Sequence, residues 1–147
     1  MMRLFLLSIA VLTAAERSPI LIAHRGGPAQ RPENTLAAFR NAAKLGIDFI
    51  EFDMNVTADD RIVIHHDTAI DRKICLAPPG VDFAPIRSLT LARVKGFDCG
   101  SIPNPAFPRQ TLSPGERIPT LEEVIAALKP TRAQLFAETK MAADVPP

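Results

Sequence analysis

The chain has 147 residues, 47% hydrophobic and 22% charged, which is the composition of an ordinary globular protein of one domain. Its formal net charge is +1 and it has no Trp or Tyr, so neither charge nor base stacking argues for a nucleic-acid partner. Fourteen Pro point to many turns and extended loops.

Residues 1–15 read as a secretory leader. Arg3 supplies a positive start, Leu4 to Leu12 is an apolar run too short to cross a bilayer, and Thr13-Ala14-Ala15 offers small residues before Glu16. Residues 16–147 would then be one exported domain, periplasmic or secreted, and no later segment has the length and apolarity of a stable membrane span.

A short apolar strand over residues 19–23 ends at His24-Arg25-Gly26-Gly27. The spacing of Leu36, Phe39, Ala43 and Ile47 predicts a helix over residues 33–44, with Asn34 as N-cap and Gly46 as stop. A second strand over residues 48–54 places Phe49, Glu51 and Asp53 on one face and Ile50 and Phe52 on the other. Asp59-Asp60 marks a turn before a third strand, residues 61–65, which ends at His66-Asp67. Residues 68–119 are less regular, with a short helix predicted over 89–95 and a Pro-rich surface loop over 101–119. Cys75 and Cys99 flank part of this stretch; in an oxidising compartment they could pair, or they could remain two buried thiols. Thr120-Leu121-Glu122-Glu123 forms a capping box that opens a helix running to about residue 129. A fourth strand over residues 134–140 carries Glu138 and Lys140, and residues 141–147 are predicted to form no element.

Strands alternating with helices argue for a parallel α/β architecture, whose sites lie at the carboxyl ends of strands. Glu51 and Asp53, two apart on one strand, emerge on one face about 6–7 Å apart at Cα and repel unless a cation lies between them. Glu138 would add a third oxygen ligand, and an oxygen-only set favours Ca²⁺ or Mg²⁺ over zinc. His24 and either His65 or His66 could serve as general acid and base. The pattern does not say which of the adjacent pair faces the site. Arg25 and Lys140 are candidate phosphate clamps, and Gly26-Gly27 would admit a ligand close to the backbone. Asp67 could orient a histidine or serve as an ordinary turn residue.

Taken in order, HRGG from His24, PENT from Pro32, EFDMNVTADD from Glu51, HHD ending at Asp67, IPTLEEV from Ile118 and ETK from Glu138 resemble the glycerophosphodiester phosphodiesterase family. Their number and order, over about residues 20–140, make the match specific. The resemblance implies a TIM barrel and metal-dependent hydrolysis of small-molecule glycerophosphodiesters to glycerol 3-phosphate and an alcohol. It implies that Glu51, Asp53 and Glu138 hold the metal, that His24 and His66 form the acid–base pair, and that Arg25 and Lys140 bind the phosphate. The family's histidine directly before Asp selects His66 over His65. Glu33 and Asn34, within PENT, are assigned to the helix start. A full barrel takes about 250 residues and eight strands. Four predicted strands therefore imply the N-terminal half of the domain, with uncovered strand edges through which the chain could self-associate. The alternatives are a non-catalytic remnant that binds metal or phosphate, and a lyase of the sphingomyelin-cleaving phospholipase D type.

Overall fold

The computed structural model describes residues 19–140, so the proposed leader and the tail at 141–147 lie outside the described residues. Among the described residues, four strands and three α-helices follow in the order β1 (Ile22–Ala23), α1 (Leu36–Lys44), β2 (Phe49–Val56), β3 (Ile62–Ile64), α2 (Leu91–Val94), α3 (Leu121–Leu128) and β4 (Gln134–Thr139).

The central strand is β2. It pairs in parallel with β1, Ile22 opposite Phe49, and with β4, Phe49 opposite Gln134 through Met54 opposite Thr139. The expected parallel architecture holds for these three strands. It fails for β3, which pairs antiparallel with the far end of β2, Met54 opposite Ile64 and Val56 opposite Ile62. The connection explains the difference. Only residues 57–61 separate β2 from β3, and a parallel return needs a crossover of a dozen or more residues. Thr57 and Asp59 close the turn through Thr57 Oγ1 to Asp59 Oδ1 at 2.6 Å, and Asp60 adopts a φ of 57°.

Alternation along β2 sorts its side chains as its sequence suggests. Ile50 and Phe52 are fully buried on one face, in a core shared with Phe39 and Ala42 of α1 and Val124 and Leu128 of α3. The Phe39 and Phe52 rings meet at 5.9 Å between centroids. Both helices thus cover one face of the sheet, and Glu51, Asp53 and Asn55 occupy the other.

Helix boundaries show two corrections. Thr35, not Asn34, caps α1: its hydroxyl accepts from Ala38 N at 3.2 Å, while Asn34 has a left-handed φ of 54°. The capping box of α3 forms as expected, Thr120 Oγ1 accepting from Glu123 N and Glu123 accepting from Thr120 N. The helix predicted over 89–95 shortens to α2 because Leu89 is extended and buried in the core before it.

The irregular stretch between β3 and α3 has a core of its own, built on Ile70, Ile86, Val94, Phe97 and Ile118. Cys75 and Cys99 are joined in a disulfide at its centre, which resolves the alternatives left by the sequence. Closing a loop of this length removes chain entropy worth about 3 kcal/mol from the unfolded state. Along the sheet, apolar side chains remain outside: Ile20, Leu21 and Ile22 near β1 and Phe136 on β4 are all more than half exposed. Among the described residues, β1 and β4 each pair along one edge.

Reduction of Cys75–Cys99, or its replacement by two serines, is expected to lower the unfolding temperature by several degrees. Thermal unfolding followed by circular dichroism with and without reductant checks this, and an unchanged midpoint would contradict it.

Candidate active site

The chain leaves β1 at Ala23 and turns at once. Arg25, Gly26 and Gly27 all have positive φ, at 51°, 78° and 89°. Gly26 is required here for packing: a Cβ would lie 2.8 Å from Phe39 Cδ1 and 2.9 Å from Ala38 Cβ. The space expected for a ligand at Gly26 is therefore filled by α1, whereas Gly27 faces open space. The turn carries Arg25 N onto Glu51, donating to Oε2 at 2.6 Å.

The β2–β4 register sets Asp53 directly opposite Glu138. Glu51, Asp53 and Glu138 each bring a carboxylate oxygen within 4.8 Å of the others. Each of the two buried carboxylates has one oxygen engaged and one not. Glu51 Oε2 accepts from Arg25 N, and Asp53 Oδ2 accepts from Asn34 Nδ2 at 2.8 Å. Glu51 Oε1 and Asp53 Oδ1 are buried without a hydrogen bond. Lone pairs buried in this way are costly unless a cation takes them. The three carboxylates thus fit a hard divalent cation.

Cations of the protein itself surround the cluster. Lys140 Nζ lies 3.0 Å from Asp53 Oδ1, close enough for charge attraction though not aligned as a hydrogen bond, and it donates to Glu138. Arg25 Nε is 3.6 Å from Asp53 Oδ2, and its Nη1 donates to Glu33 at 3.0 Å. Burial pushes the Asp53 carboxyl up, but the Asn34 amide and Lys140 outweigh it and hold the group below the usual aspartate range. Burial likewise opposes the charge on Lys140, yet its contacts with Glu138 and Asp53 raise its pKa.

The two histidines at 65 and 66 separate cleanly. His65 is buried; its backbone N–H donates to Asp53 O at 2.9 Å and its Nε2 accepts from Asp71 N at 3.2 Å. His66 is partly exposed on a cleft of about 300 Å³ that Arg25, Asp67 and Lys73 also line. Its Nδ1 lies 2.6 Å from Asp67 Oδ1, so Asp67 orients it. His24 is mostly exposed, with Nε2 4.0 Å from Glu51 Oε2. The structure therefore gathers Arg25, Glu51, Asp53, Glu138 and Lys140 around one centre, with exposed His24 beside Glu51 and His66 on a cleft joined to that centre through Arg25.

Three supporting residues escaped the sequence reading. Asn34 and Glu33 sit in the PENT segment but hold Asp53 and Arg25 instead of starting the helix. Asn55, one alternation beyond Asp53, donates to the carbonyls of His65 and Asp67 at 2.7 and 3.2 Å and shapes the turn that presents His66. The period-2 polar run Glu51-Asp53-Asn55 was the available signal for Asn55.

Burial lowers the His65 pKa to about 4, against the opposing pull of Asp67 and Asp71. Between that value and the unfolded value near 6.5, the unfolded chain binds the extra proton. Stability is therefore fully present above pH 6.5 and falls as pH drops toward 4, by a total on the order of 3 kcal/mol. Denaturant midpoints measured from pH 7.5 to 4 should show this slope, and a His65→Asn chain should show a flatter one; equal slopes would contradict the assignment.

Residues 24–145 match the Glycerophosphoryl diester phosphodiesterase family. A glycerophosphodiester phosphodiesterase of Bacillus subtilis is 33% identical over 93% of this chain and 50% of its own length. Another from Caldanaerobacter subterraneus is 41% identical over 71% of this chain and 38% of its own. A phosphodiesterase of Oleispira antarctica, solved in complex with the product sn-glycerol-3-phosphate, superposes with a TM-score of 0.67 at 34% identity, over 83% of this chain and 44% of that one. The chain thus spans half or less of the length of these relatives. The parallel strands β1, β2 and β4, with α1 and α3 on one face, form part of a TIM-barrel-type α/β fold. The chain belongs to the glycerophosphoryl diester phosphodiesterase family.

Proposed function

We propose that this site hydrolyses glycerophosphodiesters, releasing glycerol 3-phosphate and an alcohol, with Ca²⁺ or Mg²⁺ bound by Glu51, Asp53 and Glu138. The observation that carries the proposal is the convergence of three carboxylates, Glu51, Asp53 and Glu138, with Glu51 Oε1 buried without a hydrogen bond and Asp53 Oδ1 met only by the Lys140 ammonium. A divalent cation held there would act as a Lewis acid on a phosphoryl oxygen.

The chain's own groups do the rest. Arg25 and Lys140 bring positive charge to the rim of the carboxylate cluster, where phosphate oxygens would meet them. Glu33 braces the Arg25 guanidinium. Asp67 accepts from the Nδ1–H of His66, which leaves Nε2 with the lone pair needed to take or return a proton. His24, mostly exposed and with Nε2 4.0 Å from Glu51 Oε2, supplies the second proton-transfer group.

Two further proposals rest on other observations. Export to the periplasm or medium is supported by the leader-like residues 1–15 and by the Cys75–Cys99 bond, which persists in oxidising compartments. Self-association is supported by the exposed apolar side chains Ile20, Leu21, Ile22 and Phe136 next to strands that pair along one edge.

Saturating Mg²⁺ or Ca²⁺ should raise the unfolding temperature of the parent chain, and Glu51→Gln or Asp53→Asn should abolish that rise. Equal rises in variants and parent would contradict the ligand assignment. Replacing His66 with Ala should lower turnover of glycerophosphocholine by about 100-fold or more, while Ala at position 65 should act chiefly through stability; the reverse order would contradict the proposed roles.

A further inference from the structure

We infer that Asn34 is a positioning residue for the cation site: its amide pins Oδ2 of Asp53 and so leaves Oδ1, which lies 3.0 Å from Lys140 Nζ, as the oxygen open to the ion. The inference rests on the carboxylate site proposed above.

Four observations point this way. Asn34 is buried and has a φ of 54°, a conformation for which glycine is the default residue. The usual job for an asparagine side chain, capping the following helix, is already done by Thr35. The Asn34 amide instead crosses to β2, where Nδ2 donates to Asp53 Oδ2 at 2.8 Å. Its Oδ1 remains buried without a hydrogen bond, so the amide is oriented for Asp53 at a cost to its own solvation.

The backbone serves the same end. Asn34 N donates to Arg25 O at 3.0 Å, which ties the residue to the turn whose own N–H holds Glu51. One residue therefore links the fixed oxygens of both buried carboxylates. Its chemistry also matters. A lysine or arginine here would cancel the charge that attracts the cation, whereas a neutral amide orients Asp53 and leaves that charge in place. Groups that orient metal ligands in this way typically change affinity about 10–100-fold when removed.

The test is calorimetric titration of Mg²⁺ and Ca²⁺ into the full chain as parent, as Asn34→Gly and as Asp53→Asn. Glycine accepts the positive φ, so the substitution removes the amide and spares the turn. The expected result is binding to the parent at one site and binding to Asn34→Gly that is weaker by about tenfold or more. Equal affinity of parent and Asn34→Gly would overturn the inference while leaving the carboxylate site standing. Binding that is also unaffected in Asp53→Asn, or absent in the parent, would overturn both. Should Asn34→Gly not fold, the ¹⁵N-labelled parent decides: the Asn34 side-chain amide resonances should move on Mg²⁺ saturation while those of Asn41 on α1 stay in place, and an unmoved Asn34 amide would overturn the inference.

Discussion

Two carboxylates buried on one face of β2 constrain everything around them. Glu51 and Asp53 stand on the strand whose other face carries Ile50 and Phe52 into the helix-covered core. Burying such charges costs several kcal/mol each unless they find partners. The chain provides some of these: a backbone N–H from Arg25, an amide from Asn34, and the nearby charges of Arg25 and Lys140. It does not provide all of them, since one oxygen of each carboxylate lacks a hydrogen bond. Carboxylates satisfied only in part, and converging with Glu138, have the form of a cation site.

The scaffold serves that arrangement. Parallel pairing brings the ends of β1, β2 and β4 to the same edge, so the turn after Ala23 meets Glu51 and the end of β4 sets Glu138 opposite Asp53. Close packing of Gly26 on Phe39 fixes the turn that delivers Arg25 N. Asn55 and Asp67 do the corresponding work for His66, one shaping the chain after β3 and the other fixing the ring. The disulfide-linked segment contributes Lys73 to the cleft wall, two residues before Cys75.

Much of this was legible in the sequence where one local rule governs the outcome. The alternation of Glu51 and Asp53 against Ile50 and Phe52 follows from the two-residue period of a strand, and Thr120 with Glu123 follows from helix-end chemistry. The choice of His66 over His65 needed the family resemblance, because adjacent residues carry no label for the face they take. The direction of β3 was misread because apolar alternation is the same in parallel and antiparallel strands; the length of the connection was the deciding quantity. Asn34 was misread because asparagine caps helices and also tolerates positive φ, and only the distant partner, Asp53, separates the two uses. The pairing of Cys75 with Cys99 depends on a core assembled from residues 63 to 118, which no local pattern announces.

The most direct test of the central claim is release of glycerol 3-phosphate from glycerophosphocholine by the purified chain, measured with Mg²⁺ or Ca²⁺ and again with EDTA, beside a Glu51→Gln control. The account predicts release that requires the divalent cation and disappears in the control. Release that persists in EDTA or in Glu51→Gln, or no release from a folded chain saturated with either cation, would contradict it.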